Sequence, residues 1–98
     1  MKRYFVTGIH RAADANAMER SLVEAACSEF LYHIIPEERL EVVAERIRFH
    51  QENILHFRPR LKTVKIELNP WWEFTPDHRS ITIGSSQMNF QEIKGEIL

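Results

Sequence analysis

The sequence is poor in glycine, and the few glycines it has lie near its two ends. They are Gly8, Gly84 and Gly95, so the interval from residue 9 to residue 83 contains none. A glycine-rich phosphate loop and a G-x-S-x-G nucleophile turn both depend on glycine at fixed positions. We therefore expect neither of these sites within that interval.

Cysteine and long apolar runs are also scarce. The single cysteine, Cys27, cannot form a disulfide within the chain, so nothing indicates an oxidising compartment. No apolar run is long enough for a membrane span, and the first ten residues lack the apolar region of a signal peptide. These features predict a cytoplasmic protein with no membrane contact.

The length and composition are those of one ordinary globular domain. The 98 residues are 44% hydrophobic and 28% charged, which predicts a single domain over 1–98 with an adequate core. The five histidines form no i, i+4 pair and have no C-x-x-C partner. We therefore expect no metal site and no cofactor.

What the chain does have is a strong sorting of charge beneath a formal net charge of −1. Residues 1–13 carry three bases and no acid, and residues 14–45 carry eight acids against two arginines. Residues 46–65 carry six bases against one acid, and residues 66–98 carry five acids against two bases. Local fields of this kind decide what a small domain attracts.

The pattern of apolar residues predicts three strands and two helices. Residues 3–9, 61–68 and 80–84 are rich in β-branched and aromatic residues or alternate apolar with polar ones, which is typical of strands. Apolar residues at spacings of three and four predict helices at about 16–34 and 36–57.

Local signals refine the two helices. Asn16 and Glu19 have the spacing of a capping box, and Glu19 is expected on the solvent face. Pro36 suits the first turn of the second helix. His50 interrupts the apolar stripe of that helix, and we expect it to be neutral and hydrogen-bonded in the core.

The element order is β-α-α-β-β, followed by a tail whose type stays open. Within 87–98, Phe90, Ile93 and Ile97 have helical spacing, whereas Met88 and Phe90 also fit a strand. We predict an α+β fold: an antiparallel sheet of three or four strands with a two-helix hairpin packed on one face.

This topology predicts two poles of different chemistry. One gathers the end of the first strand, the start of the first helix and the end of the second helix. It would form a cationic pole that could bind an anion or nucleic acid. Together with two residues of the second helix, the candidate residues are His10, Arg11, Arg46, Phe49, His56, Arg58, Arg60 and Lys62.

The opposite pole would be acidic and aromatic. Trp71 and Trp72 lie between two prolines, and Glu73 follows them. Tryptophan gives a large contact area at low entropic cost and is enriched at interface hot spots. We predict that these three residues contact a protein partner.

Three functional hypotheses follow. The first is a small non-catalytic binding or regulatory protein that acts through a protein partner or as a homodimer. The alternative is a nucleic-acid-binding regulator that uses the basic segment 46–65, where Phe49 could stack on a base. The third is an enzyme with an anionic substrate at the cationic pole. The Asp77–His78 pair implies no nucleophile, so we assign no catalytic residue.

Overall fold

A computed structural model describes residues 2–10, 13, 17–55, 64–69 and 77–94, and all structural statements concern these residues. It is an α+β fold with two helices and a five-stranded antiparallel sheet in the order β2-β1-β5-β4-β3. The elements are β1 (Arg3–His10), α1 (Ala17–Phe30), β2 (Ile34–Pro36), a 3-10 turn (Glu37–Arg39), α2 (Leu40–Leu55), β3 (Ile66–Asn69), β4 (His78–Ile83) and β5 (Ser86–Glu92).

The expected count of three or four strands was too low, because β2 lies where the sequence predicts the end of the first helix. α1 stops at Phe30, and the His33 N–H donates to the Phe30 carbonyl at 3.0 Å. Tyr32 adopts a φ of 68°, which turns the chain back toward β1. Ile34 then pairs with Phe5 of β1, and Pro36 ends β2 instead of opening a helix.

Of the tail 87–98, whose type the sequence leaves open, residues 87–92 belong to the strand β5. This strand lies between β1 and β4, and Met88 and Phe90 are fully buried. Their alternation with exposed or half-buried polar residues is the period of a strand. Two neighbouring strands provide β5 with hydrogen bonds on both edges, which a terminal helix would not have.

Both helices pack on the same face of the sheet, as the sequence predicts. Residues of α1 such as Leu22 and residues of α2 such as Ile47 form one buried cluster with Val6 and Phe90 of the sheet. His50 does not lie in the core as the sequence predicts. It is half-buried and outside the buried cluster, and its Nε2 lies 2.6 Å from the Glu29 carboxylate.

Glu19 does not occupy the exposed position that its spacing suggests. Its side chain is 5% exposed and accepts hydrogen bonds from the N–H groups of Ser85 (2.5 Å) and Ser86 (2.9 Å). The Ser85 hydroxyl donates to the same carboxylate. Gly84, with a φ of 64°, opens this β4–β5 turn, and a Cβ there would lie 2.6 Å from Glu19 Oε1. Glu19 therefore ties α1 to the turn.

The two edges of the sheet are protected in different ways. On β3, Arg48 of α2 donates to the Ile66 carbonyl, and Gln51 donates to the Val64 carbonyl at 2.9 Å. On β2, Pro36 has no N–H to offer to a further strand. Neither edge is therefore well suited to extension of the sheet by another chain.

One buried polar group in the described core lacks a partner. Tyr4 is fully buried on β1, and its hydroxyl makes no hydrogen bond within the part of the chain that the structure describes. Burial raises the pKa of this phenol. The positive charge of the nearby Arg79 guanidinium offsets part of that rise. Arg79 Cζ lies 5.6 Å from the centre of the Tyr4 ring.

Candidate functional site

A pocket lies where the end of α1, strand β2 and the first half of α2 meet. Its volume is about 290 Å³. Its lining combines apolar side chains with charged or titratable ones. The lining residues are Glu29, Phe30, His33, Ile34, Ile35, Pro36, Arg39, Val42, Val43 and Arg46.

Large apolar side chains are exposed at this pocket. Ile34 is 51% exposed and Val42 is 59% exposed, and both line the pocket. Phe49, 49% exposed, lies seven residues after Val42 and therefore two turns along the same face of α2. We call Glu29, Ile34, Val42, Arg46 and Phe49 the helix-end surface.

Charged groups fix the geometry of this surface by joining α1 to α2. Arg46 Nε donates to Glu29 Oε1 at 2.9 Å, and His50 Nε2 lies 2.6 Å from Glu29 Oε2. Burial alone would raise the pKa of Glu29, but the hydrogen bonds from His50 and Arg46 outweigh it and lower that pKa. The Arg46 guanidinium also lies 5.3 Å from the centre of the Phe49 ring.

The local sequence explains why these residues meet here. Three residues, 31–33, separate α1 from β2. The chain reverses its direction there because Tyr32 adopts a left-handed backbone conformation. Pro36 then sets the entry into the 3-10 turn that precedes α2. Ile34 and Val42 both line the pocket that results.

The described cations of the basic segment 46–65 are already paired. Arg46 bonds Glu29, and Arg48 contacts both Glu41 (3.0 Å) and Glu45. Lys65 Nζ lies 2.7 Å from Glu67 Oε2. The pairing of Arg48 with Glu45 agrees with the i, i+3 spacing in the sequence, and Glu41 lies one further turn back on the same helix face. Each of these carboxylates competes with a phosphate for the same cation.

The structure brings some of the predicted pole together. His10 pairs with Gln87 at the end of β1, close to the turn of Ser85, and the start of α1 reaches that turn through Glu19. The Glu19 carboxylate accepts hydrogen bonds from the N–H groups of this turn and places an acidic group there. His10 and Arg46 do not converge, because His10 faces away from the helices and Arg46 lies on α2.

Several candidate residues lie outside the described part of the chain. Arg46 and Phe49 are described and belong to the helix-end surface. The partner-binding and anion-binding candidates that the structure does not describe are Arg11, His56, Arg58, Arg60, Lys62, Trp71, Trp72 and Glu73.

The sequence interpretation missed Ile34, Val42 and Glu29 as members of a surface. A usable signal existed for Val42, because Val42 and Phe49 share a helical face that is distinct from the Leu40, Val43 and Ile47 stripe. No comparable signal existed for Ile34, whose position depends on where α1 ends.

Two other features, a metal-binding cluster and a membrane-spanning helix, are absent from the described residues. No three His, Cys, Asp or Glu side chains in these ranges are placed to hold a metal ion. No described helix is both long and apolar enough to cross a membrane. Comparison of the chain with protein-family models, curated proteins and solved structures gives no match in any of the three.

Proposed function

We propose that this protein is a small non-catalytic binding module that acts through the helix-end surface, and that its first partner is a second copy of itself. The observation that carries the proposal is the exposure of Ile34 and Val42 around one pocket, with Phe49 beside it. Exposed apolar side chains grouped around a concavity and bordered by charges are typical of interaction sites.

The mixture of charges at this surface favours self-association over a strongly charged partner. Glu29 and Arg46 lie next to each other beside the apolar residues. A two-fold axis brings a surface against its own copy. The acid of one copy can then lie opposite the base of the other copy, and the base of the first opposite the acid of the second. The pocket would then receive an apolar side chain of the other copy, such as Phe49.

Other parts of the proposal rest on the sequence. Trp71, Trp72 and Glu73 are proposed as further contacts with a protein partner, and a cytoplasmic location is proposed from the single cysteine. A nucleic-acid role for segment 46–65 has less support, because Arg46 and Arg48 are engaged with carboxylates. An anionic substrate at the cationic pole also has less support, since the Glu19 carboxylate places an acidic group at the turn beside the start of α1.

The experiment that tests this proposal is light scattering on the full chain after size-exclusion chromatography. We expect the mass to rise toward twice the monomer mass as the loading concentration rises. Val42→Glu should shift this equilibrium to monomer by placing a carboxylate at the apolar centre. Arg20→Glu is the control, because Arg20 is exposed in the first turn of α1, about 13.5 Å along the helix from Glu29. A wild-type mass that stays monomeric at every concentration rules out self-association.

A further inference from the structure

The face of the sheet opposite the helices has its own chemistry, separate from the proposed function. Tyr4 and Val6 of β1 face the helices, so their neighbours Arg3 and Phe5 face the other way. The strand registers extend this outer face across the sheet. The residues on this outer face are Arg3, Phe5, Thr7, His10, Ile34, Pro36, Glu67, Asn69, His78, Ser80, Thr82, Gln87, Asn89 and Gln91.

No described helix packs against this outer face. The buried residues of α1 and α2 all join the cluster that includes Val6 and Phe90, which is on the other side of the sheet. Thr7, His10 and Gln91 are exposed. The face is therefore available to another molecule along β1 and at Gln91, whereas Ser80 at its centre is fully buried.

Side-chain amides follow one another along β5. Gln87, Asn89 and Gln91 occupy alternate positions, about 7 Å apart along the strand. On the neighbouring strands, the Asn69 amide donates to Ser80 Oγ (2.7 Å) and Thr82 Oγ1 (3.1 Å). Amides and hydroxyls have the donors and acceptors that match the edges of unpaired bases.

Aromatic rings lie at one side of the same face. The rings of Phe5 and Tyr32 have their centres 6.1 Å apart with an angle of 32° between their planes. Tyr32 is 71% exposed. Its backbone has a φ of 68°, a left-handed conformation that costs a non-glycine residue about 1 kcal/mol or more. The exposed Tyr32 ring, in the turn before β2, and the half-buried Phe5 ring on β1 offer stacking surfaces to bases whatever their sequence.

The charge of the outer face suits a polyanion. Arg3 is exposed on the face, and Lys2 and His10 are exposed at the two ends of β1. Glu67 is the only carboxylate on the described strands that faces this side, and it lies on the edge strand paired with Lys65 at 2.7 Å.

A second carboxylate, Asp77, borders the face from the turn before β4. Its Oδ1 lies 3.1 Å from His78 Nδ1, so it too has a partner. The middle of the sheet therefore presents no unpaired carboxylate to a phosphate within the described strands.

We propose that this outer face binds single-stranded nucleic acid. Bases stack on Phe5 and Tyr32, the amides of β5 contact base edges, and the phosphates lie near Arg3 and Lys2. A single strand fits better than a duplex, because flat aromatic and amide surfaces contact bases that are unpaired and turned outward. The site is separate from the basic segment 46–65. It adjoins the helix-end surface at Ile34, which pairs with Phe5, but Arg3, Phe5 and Tyr32 are not members of that surface.

The test is fluorescence anisotropy of a labelled single-stranded RNA of about ten nucleotides, titrated with the full chain at low salt. We expect saturable binding that weakens as salt is added. Phe5→Leu keeps an apolar side chain but removes the stacking surface, and it should weaken binding about fivefold or more. Arg3→Glu should also weaken binding and reduce the salt slope by about 0.7 for each phosphate that residue 3 no longer neutralises.

Controls separate this site from non-specific attraction. Arg20→Glu makes the same charge change on the helical layer and should leave the affinity unchanged. Val42→Glu should also leave it unchanged, so that a failure of the helix-end proposal is distinguishable from a failure of this one. Thermal unfolding followed by circular dichroism establishes that each variant is folded. If Phe5→Leu does not fold, the test is made with Arg3→Glu alone.

Three results would overturn the proposal. The first is the absence of any anisotropy change with wild-type protein at low salt. The second is equal weakening by Arg20→Glu and Arg3→Glu. The third is tighter binding of a duplex, or of a neutral oligosaccharide, than of the single strand.

Discussion

Replacement of Glu19 by alanine should be strongly destabilising. The substitution removes the acceptor for the N–H groups of Ser85 and Ser86 and for the Ser85 hydroxyl. Ser86 is fully buried, so its N–H would lose its partner without access to water, whereas exposed Ser85 could be hydrated. A buried donor that loses its partner costs about 1–3 kcal/mol of stability. The cost lies toward the upper end of that range when the lost acceptor is a charged group such as a carboxylate. We expect a loss of about 2–4 kcal/mol in the free energy of unfolding.

A second substitution tests the contact from the other side. Gly84→Ala should also destabilise the protein, because its φ of 64° disfavours alanine and the new Cβ would lie 2.6 Å from Glu19 Oε1. In the Glu19→Ala background the clash is gone and only the backbone penalty remains. The two changes should therefore cost less together than the sum of their separate costs.

The chain offers matched controls for both changes. At Gly8 a new Cβ would meet nothing within 4 Å, so Gly8→Ala should be far milder than Gly84→Ala. Glu24 is exposed on the same helix as Glu19, and Glu24→Ala should change stability by less than about 0.5 kcal/mol. The assay is urea unfolding followed by circular dichroism. If Glu19→Ala unfolds at the same urea concentration as Glu24→Ala, the carboxylate does not support the turn and the reasoning is wrong.

Three further predictions concern other contacts. Arg48→Ala should lower the free energy of unfolding by about 1–2 kcal/mol, because the Ile66 carbonyl on the sheet edge loses its donor. Tyr4→Phe should leave stability within about 0.5 kcal/mol or raise it, because the buried hydroxyl has no described partner. The lowered pKa of Glu29 in the folded state means that its contribution is present above the ordinary glutamate pKa and is lost as the pH falls through the folded value. Glu29→Gln should therefore be less stable than wild type near neutral pH, and the difference should shrink in acid.

Each of these has an outcome that contradicts it. Urea unfolding of Arg48→Ala should be compared with that of Arg20→Ala, and equal stabilities would show that Arg48 is not needed at the edge. A loss of more than about 1 kcal/mol in Tyr4→Phe would mean that the hydroxyl has a partner after all. A constant difference between wild type and Glu29→Gln across the acid range would remove the role assigned to the Glu29 carboxylate.

The sequence predicts most of the fold because its strongest signals are local and periodic. Alternation identifies residues 80–84 as a strand, and β4 covers that segment apart from Gly84. Three- and four-residue spacing identifies α2, where Val43 and Ile47 are buried as expected. The two-helix packing on one face then follows from the order of elements.

The exceptions arise where a contact distant in sequence decides the structure. The strand β2 has only three residues, and its pairing with β1 decides where α1 ends. Glu19 has the spacing of a helix cap, and it also accepts hydrogen bonds from a turn 66 residues away. No local pattern contains either fact.

The candidate surfaces were predictable only in part for the same reason. Phe49 stands out in the sequence as an aromatic residue off the apolar stripe. Its place beside Arg46 and Glu29 depends on how closely α1 packs against α2. The residues of the outer face can be assigned only when the pairing of β5 with β1 and β4 is known. The sequence leaves the type of this segment open, so it does not predict that pairing.

The most direct test of the central claim is the mass of the wild-type chain in solution, measured by light scattering across a concentration series. A mass that rises from 11.6 kDa toward twice that value, and that Val42→Glu but not Arg20→Glu returns to the monomer, is the predicted result. A monomer at every concentration, or a dimer that Val42→Glu leaves intact, would contradict the account of the helix-end surface.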